Sequence, residues 1–297
     1  MTFLHDPALA WLLPVPVLVA LAPLLHRVFG ATWRALDAAA LEERARLVAA
    51  GRTDLRPLVA PALGVFVLAL QEYFGKWGFY EANLRPALAA LEQAHPGGPV
   101  DLATWGGLYG QAWWGFCRVG GYLLPIALWP LLFRGERRLD CGLRLVGLRQ
   151  HLWIYALALA VMVPLLLVVR RQPDFGAYYP FYRTAGRSWA DLLAWEAIYA
   201  AQFFALEAFF RGWWLHATRT LGAASILGMV VPYTMIHFGK PWLEVSGAIV
   251  AGVVLGSLSA RTRSIWAGFL VHATVGLLMD VLSLEQRGAL PVRAWPG

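Results

Sequence analysis

The amino-acid sequence predicts an all-α fold, a polytopic membrane bundle of about eight transmembrane helices. Of its 297 residues, 59% are hydrophobic and 14% are charged, whereas an average soluble domain has about 45–50% apolar and about 25% charged residues. The mean hydropathy is +0.55. Several apolar runs also reach the roughly 20 residues that a helix needs to cross a bilayer. These observations exclude a disordered chain, a coiled coil and an ordinary soluble enzyme.

Eight stretches of the sequence are apolar enough to be interpreted as membrane helices. The second carries Gln71 and Glu72 near its end, and the third contains Arg118. The fifth and sixth also carry polar residues. The predicted spans are residues 8–26, 57–75, 105–133, 150–169, 189–215, 222–238, 242–260 and 265–284.

Polar segments divide these spans into groups. A charged run that begins at Arg134 separates three N-terminal spans from five C-terminal ones. We therefore predict an N-terminal region at 1–138, a core at 139–285 and a tail at 286–297. Between the first two spans, the charged helix former at 31–50 predicts a cytoplasmic amphipathic helix that Gly51 ends.

The distribution of basic residues gives the predicted orientation, because cytoplasmic loops are enriched in Lys and Arg. If the segment 27–56 is cytoplasmic, 15 basic residues lie on the cytoplasmic side and 9 on the other, and both termini face outward. Only Lys76 and Lys240 among the 25 basic residues are lysine, which favours a GC-rich bacterial genome. We therefore predict a multi-pass protein of the bacterial inner membrane. No basic run is long enough to track phosphates, so no nucleic-acid partner is predicted.

Three sites in the C-terminal half place ionisable side chains inside predicted spans. Each charge costs about 2.5–3.5 kcal/mol at the centre of a membrane helix, so such residues usually face the bundle interior and mark function. The first site is Glu207 with Arg211, four residues apart on one helix face, where they can form a structural ion pair or a functional site. The second site ends at His237, and the third begins at His272. Taken singly, either histidine would most often be structural.

Helix geometry brings these three sites to similar depths. At about 1.5 Å per residue, Glu207 lies roughly 18 Å, His237 roughly 22 Å and His272 roughly 12 Å from the same side of the membrane. A helix tilt of about 20° can close part of this difference. One carboxylate and two imidazoles on three successive helices can therefore converge, and we predict these three side chains as the catalytic residues.

Such a cluster suits hydrolysis of a peptide bond inside the membrane. A carboxylate can accept a proton from water, and a histidine can position that water or polarise a carbonyl group. The set of Glu207, His237 and His272 also matches the ligands of a catalytic zinc ion, which stays open as an alternative. The sequence lacks the H-E-x-x-H spacing of helical zinc proteases, so the favoured site has no metal and no cofactor.

The order of these motifs on successive hydrophobic helices resembles the CPBP family. This is the CAAX-protease and bacteriocin-processing group of intramembrane endopeptidases, which includes the Ras-converting proteases. Residues Glu207 to Gly212 are similar to the end of its first motif, Tyr233 to His237 to the second, and His272 to Gly276 to the third. The resemblance covers roughly residues 140–285.

The resemblance implies a helical bundle with a hydrophilic cavity, in which a glutamate activates water with the help of two histidines. On this basis the supporting residues are Arg211, Tyr233, Gly276 and Asp280.

Two positions depart from the family pattern. The first motif of the family normally opens with two glutamates, and the first of them is usually taken as the general base; here Leu206 occupies that position and only Glu207 remains. The third motif normally ends in Asn or Asp, which is thought to stabilise the oxyanion; here the residue is Gly276. Asp280 lies one turn further along the same helix, but an ionised carboxylate is an acceptor only.

Three functions follow from this pattern. The first is an active glutamic-type endopeptidase that processes C-terminal or N-terminal membrane-anchor or sorting segments of exported proteins. The second is an inactive scaffold that binds hydrophobic or lipidated peptides, in an immunity or chaperone-like role. The third is a transporter. In the favoured case, the partners are the lipid bilayer and a hydrophobic or membrane-anchored protein or peptide substrate.

Overall fold

The computed structural model describes residues 14–136, 141–145 and 148–297, and within them it confirms the all-α prediction. These residues form helices and turns, with one isolated β-bridge between Leu143 and Ser264. We label the nine longer helices in chain order. They are α1 (Pro14–Ala49), α2 (Arg56–Phe74), α3 (Arg85–Ala94), α4 (Leu102–Leu132), α5 (Leu148–Val169), α6 (Trp189–Glu207), α7 (Ala224–Met235), α8 (Trp242–Thr262) and α9 (Trp266–Gln286).

Six segments of the described chain are long and apolar enough to cross a membrane, and each corresponds to a predicted span. The predicted span at 222–238 is the 12-residue helix α7, shorter than the roughly 20 residues of a straight crossing. The predicted span at 8–26 lies partly outside the described residues. The six segments are Arg56–Phe74, Leu102–Leu132, Leu152–Val169, Trp189–Ala217, Trp242–Thr262 and Trp266–Gln286. The protein is thus an integral, multi-pass membrane protein.

Helix α1 differs from the sequence prediction at its N-terminal side. The amphipathic helix expected at 31–50 is the second half of one continuous 36-residue helix, because no residue between 27 and 30 breaks the helix. Its C-terminal end is as predicted: Gly51 has a φ of 60°, and the N–H groups of Gly51 and Arg52 donate to the carbonyl oxygens of Val48 and Leu47. This is the hydrogen-bond pattern of a glycine-terminated helix.

The described residues form two compact units that alternate along the sequence. The first unit comprises the described residues within 1–62, 139–146 and 210–265, and the second comprises those within 63–138, 147–209 and 266–297.

In the first unit, α7 packs closely on α8 because two glycines of α8 leave room for it. A Cβ atom at Gly252 would lie 2.9 Å from a methyl group of Val230, and one at Gly256 would lie 2.8 Å from the terminal methyl group of Met229. This four-residue spacing of small residues is typical of helix pairs in membranes. Helix α1 is also joined to α8, since Trp33 Nε1 donates to Ser257 Oγ at 2.9 Å.

A polar network in the first unit ties the end of α1 to the turn that follows the predicted first motif. Glu43 accepts two hydrogen bonds from Arg219, at 3.0 and 2.8 Å, and one from Arg56 at 2.8 Å. Asp54 accepts from Arg56 Nε at 2.6 Å and from Thr220 Oγ1 at 2.6 Å. Burial raises the pKa of Asp54, but the hydrogen bonds from Arg56 and Thr220 outweigh it, so the pKa lies below its ordinary value of 3.8.

This network is expected to make the first unit sensitive to acid. Because the folded-state pKa of Asp54 is lowered, its stabilising contribution is complete above about pH 4 and is lost as the pH falls through the folded-state pKa. Hydrogen bonds to charged groups contribute about 1.5–3 kcal/mol when buried, so we expect a loss of about 1 kcal/mol at this half-buried site. Thermal unfolding followed by tryptophan fluorescence between pH 6 and pH 3 should therefore show a smaller pH-dependent shift in Asp54→Asn than in the wild type. Equal shifts in both proteins would contradict this assignment.

In the second unit, α6 begins at a well-formed cap outside its apolar stretch. Ser188 Oγ accepts from the backbone N–H of Asp191 at 3.1 Å and donates to its carboxylate at 2.7 Å, an arrangement that satisfies the first turn of a helix. The same carboxylate accepts from Arg187 through two nitrogens and from Tyr182 Oη at 2.7 Å. Burial raises the pKa of Tyr182 to about 12, so the phenol stays protonated as a donor. This cap fixes the start of the helix that carries Glu207.

Candidate active site

The structure joins two of the three predicted catalytic residues directly. His272 Nδ1 lies 2.9 Å from Glu207 Oε1, which pairs the last residue of α6 with a residue one and a half turns into α9. The Glu207 side chain is fully buried and that of His272 is 14% exposed. Glu207 lies ~27 Å along the helix from Trp189 and ~15 Å from Ala217. Glu207 is therefore well inside the candidate membrane span Trp189–Ala217.

This contact determines which of the two groups donates the hydrogen bond and which accepts it. A carboxylate accepts hydrogen bonds, so the Nδ1 proton of His272 is donated to Glu207 when the carboxylate is ionised. The neutral imidazole then presents Nε2 as an acceptor, and a carboxylate that orients an imidazole also stabilises its protonated form. A buried pair of this kind can take up and return a proton, which is the requirement for activating a water molecule.

An aromatic side chain occupies the place where the third motif of the family normally carries Asn or Asp. A Cβ atom at Gly276 would lie 2.5 Å from two ring atoms of Phe203 and 3.4 Å from Tyr199. The Phe203 ring also packs on His272, with ring centroids 4.5 Å apart. Gly276 is therefore needed because Phe203 fills the space of a side chain. Its contribution is steric, and it provides no hydrogen-bond donor.

Restoring the residue of the family pattern, Gly276→Asn, is expected to destabilise the second unit. The new side chain would overlap the buried Phe203 ring, and overpacking of this kind costs about 1–3 kcal/mol. The measurement is the thermal unfolding of the purified protein in detergent. If Phe203 is the obstacle, Gly276→Asn and Phe203→Ala together should cost less than the sum of their separate effects. Strictly additive effects would show that another group sets the size of residue 276.

The remaining motif residues lie in the first unit and form their own cluster. The Arg211 guanidinium carbon lies 3.9 Å from the centroid of the Tyr233 ring, and the Arg211 side chain is buried. His237 Nδ1 donates to the backbone carbonyl oxygen of Tyr233 at 2.8 Å, since a carbonyl oxygen has no proton to give. The His237 and Tyr233 rings meet edge to face, with centroids 4.9 Å apart. Tyr233 thus holds both the arginine and the histidine.

Gly212, the glycine of the first motif, is required because another backbone segment approaches it closely. The helix widens into a π-helical segment at Ala208–Trp214, a form that is frequent at functional sites. At Gly212 a Cβ atom would lie 2.3 Å from the carbonyl oxygen of Cys141. The short segment 141–145 crosses the helix at this point. It is held there by the bridge from Leu143 to Ser264 and by the Ile265 N–H, which donates to the Gly142 carbonyl oxygen at 2.8 Å.

Asp280 belongs to a second carboxylate site in the second unit. Its Oδ2 atom accepts from Trp195 Nε1 at 2.6 Å, and its side chain is fully buried. Glu196 on α6 lies close enough for its charge to interact with that of Asp280, and both of its carboxylate oxygens are buried. The sequence reasoning gave no role to Glu196 or Trp195. Within the described part of the structure, Asp280 therefore contacts α6 near Trp195, two turns from His272 along α9.

Of the predicted set, the structure thus pairs Glu207 with His272, and it pairs His237 with Tyr233. The convergence of all three residues stays a prediction. No three His, Cys, Asp or Glu side chains of the described residues are grouped so that they could hold a metal ion. The sequence analysis missed Phe203 and Cys141. The run Tyr199, Phe203, Glu207 at four-residue intervals was the available signal for Phe203, because it places two aromatic rings on the helix face of the carboxylate.

A known protein family matches the part of the chain that carries the predicted motifs. Residues 188–278 match the family model described as Type II CAAX prenyl endopeptidase Rce1-like. We refer to this matched segment as the Rce1-like domain. It begins at the N-terminal cap of α6, covers less than half of the chain and confirms the resemblance to CPBP proteases. No curated protein and no solved structure matches the chain.

The Rce1-like domain contains all of the predicted motif residues except Asp280. The family consists of membrane endopeptidases, so the match supports a membrane peptidase at the level of the family. The helices α1 to α5 lie outside the match. The predicted motif residues that lie within this range are Glu207, Arg211, Gly212, Tyr233, His237, His272 and Gly276.

Proposed function

We propose that the protein is an active intramembrane endopeptidase in which Glu207 and His272 activate the attacking water. The observation that carries this proposal is the 2.9 Å hydrogen bond between a fully buried carboxylate and an imidazole on two membrane helices. Ionisable groups are costly inside a bilayer, and those that are found there usually perform a function. The Rce1-like match of the same segment supports the same reaction class.

The proposed reaction follows from the acceptor capacity of the pair. A carboxylate has about four acceptor positions, so Glu207 can accept a proton from water while it holds His272. The water oxygen attacks the peptide carbonyl carbon, and its proton passes to Glu207. When the tetrahedral intermediate collapses, the C–N bond breaks and this proton passes to the leaving amine. His237 stays a predicted catalytic residue, as the group that would polarise the carbonyl group.

The proposed substrate is a hydrophobic or membrane-anchored peptide, and the proposed role is removal of membrane-anchor or sorting segments from exported proteins. The depth of Glu207 within the apolar helix supports this class, because only a segment that enters the bilayer can reach it. We place the protein in a bacterial inner membrane with both termini on the outer side, from the excess of basic residues on the predicted cytoplasmic segments.

The decisive experiment uses isotopically labelled water. The purified protein in lipid nanodiscs is incubated with a panel of single-span peptides in H₂¹⁸O, and the products are examined by mass spectrometry. Hydrolysis places one ¹⁸O atom in the new carboxyl terminus. Proteomics of a deletion strain, searched for precursors that retain a membrane segment, then identifies the natural substrate. Intact peptides across a broad panel, together with no retained precursor in the deletion strain, would refute the proposal.

A second candidate function is a peptide-binding scaffold without protease activity. Two observations favour it: Leu206 is a buried apolar residue at the position of the family's first glutamate, and the Phe203 ring fills the space beside Gly276. The labelled-water experiment separates the two functions. A scaffold would retain peptides in a pull-down from nanodiscs without incorporating ¹⁸O into any of them.

A further inference from the structure

Arg118 is a basic side chain in a membrane helix, and no acidic side chain of the described residues forms an ion pair with it. It is the one charged residue of the 31-residue helix α4. No ion pair joins Arg118 to a carboxylate of the described residues, and Glu72, the one acidic residue of α2, pairs with Lys76. Leaving a guanidinium without a counter-charge inside a membrane bundle is costly. Arg118 lies outside the Rce1-like domain, so the family match does not explain why a charged residue occupies this position.

The side chain of Arg118 is held in place by a dedicated partner. Its Nη1 donates to Gln71 Oε1 at 2.9 Å, and Gln71 Nε2 donates back to the Arg118 carbonyl oxygen at 3.3 Å. A Cβ atom at Gly121 would lie 2.4 Å from Gln71 Nε2, so this glycine makes room for the amide. The guanidinium also lies 5.9 Å from the ring of Trp114. These contacts fix its direction without neutralising its charge.

The Arg118 position lies on the side of α4 that packs on α6 and on the segment that follows it. Arg118 shares a helix face with Gly115 and Tyr122, which lie three residues before it and four residues after it. Gly115 approaches Ile198 of α6, and the Tyr122 ring meets that of Phe209, with centroids 5.3 Å apart.

This geometry also places Arg118 near the depth of the candidate catalytic pair. Phe209 lies two residues after Glu207, and Arg118 is ~6 Å along α4 from Tyr122. Arg118 therefore lies within about two helical turns of the Glu207 carboxylate in depth. It is half-buried, and its Nε atom is buried without a hydrogen-bond partner.

We propose that Arg118 binds a carboxylate of the substrate peptide close to the scissile bond. A guanidinium has five N–H donors in a plane and matches a carboxylate through two parallel hydrogen bonds. Because the Arg118 position lies on the side of α4 that packs on α6, a substrate peptide that enters between these helices can reach the guanidinium. The arrangement makes Arg118 a specificity-determining residue and Gln71 its positioning residue. This inference rests on the proposed protease function for its biological meaning, but its test does not require hydrolysis.

The experiment measures binding by protein that carries Glu207→Gln, so that cleavage does not interfere. Two dansylated single-span peptides are compared in nanodiscs, identical except for one Asp or one Asn, with this residue moved through each position of the span in turn. With Arg118 present, we expect about tenfold tighter binding of the Asp peptide at one or two adjacent positions, from a charge-assisted hydrogen-bond pair. Arg118→Gln should abolish this preference, and Arg118→Lys should retain part of it. Lys76→Gln, which removes another cation of the same unit, should leave it unchanged.

The outcomes separate the alternatives. Equal binding of the Asp and Asn peptides at all positions, or an Asp preference that survives in Arg118→Gln, would overturn the proposal. Loss of a retained phospholipid from Arg118→Gln in native mass spectrometry, without any change in peptide preference, would overturn it in favour of a lipid site. If Arg118→Gln fails to fold, Gln71→Leu keeps the test informative, because it leaves the charge and should weaken the preference for Asp. An active protease without an Asp preference would refute this inference alone, and an Asp preference without hydrolysis would refute only the protease function.

Discussion

Replacing Glu207 by glutamine is expected to lower the rate of peptide hydrolysis by about a thousandfold, the middle of the range for loss of a proton-transfer group. Glutamine has almost the same shape as glutamate, so the hydrogen bond to His272 Nδ1 can persist through the amide oxygen. The amide cannot accept the proton of water. The measurement is the initial rate of ¹⁸O incorporation into a peptide product in nanodiscs.

The matched control is Glu196→Gln, the same substitution eleven residues earlier on the same helix. Its carboxylate oxygens are also buried, but it is not part of the candidate catalytic pair. We expect hydrolysis by Glu196→Gln to stay within about twofold of the wild type, well outside the range for loss of a catalytic group. If both variants lost activity to the same degree, the loss would reflect packing of α6 and the assignment of Glu207 would be wrong.

His272→Ala provides a further check on the pair. Residues that act as one unit have strongly non-additive effects on the rate. The double variant with Glu207→Gln is therefore expected to be about as slow as the slower single variant. A double variant slower than both by the product of their separate effects would show that the two residues act independently.

The largest expected effect on stability is at Gly212. In Gly212→Ala the new methyl group would lie 2.3 Å from the Cys141 carbonyl oxygen and 2.9 Å from its carbonyl carbon. These are backbone atoms of a segment fixed by two contacts near Ser264, so rotation of a side chain cannot relieve the overlap. We expect a loss of about 3 kcal/mol, at the upper end of the usual cost of overpacking.

The control for this prediction is Gly228→Ala in α7, where nothing lies within 4 Å of the added methyl group. Exchange of glycine for alanine inside an open helix normally stabilises it by about 0.5–1 kcal/mol. Unfolding can be followed with a thiol-reactive dye, because Cys141 is only 6% exposed in the folded protein. The two variants should shift the unfolding temperature in opposite directions. A Gly212→Ala protein as stable as the wild type would show that the segment at 141–145 is not held against the helix.

Much of the fold could be predicted from the sequence, because in a bilayer the apolar length of a segment determines whether it can cross. Six predicted spans agree with helices of the structure to within a few residues. The prediction was less accurate where length alone was ambiguous. A proline-containing apolar run at 222–238 gave a helix of only 12 residues. The boundary expected before residue 31 does not exist, because the helix continues through Gly30.

The sequence predicts the candidate site as a set of residues and not as a set of contacts. The cost of ionisable groups in a membrane singled out Glu207, His237 and His272, but spacing along the chain does not say which side chains meet. In the structure, His272 forms a hydrogen bond with Glu207, and His237 forms one with the backbone carbonyl oxygen of Tyr233. The roles of Gly276 and Gly212 depend on Phe203 and Cys141, which approach them from distant parts of the sequence.

The sequence by itself therefore determined the helical membrane fold and the motifs, and it predicted the reaction class, because these depend on hydrophobicity and residue type at short range. The tertiary structure decided which groups share a hydrogen bond, why two motif positions are glycine and which side chain holds Arg118. The physical reason is that apolar helices of similar length can pack in many orders and rotations. Only the close approach of particular rings, carbonyl groups and polar side chains selects one of them.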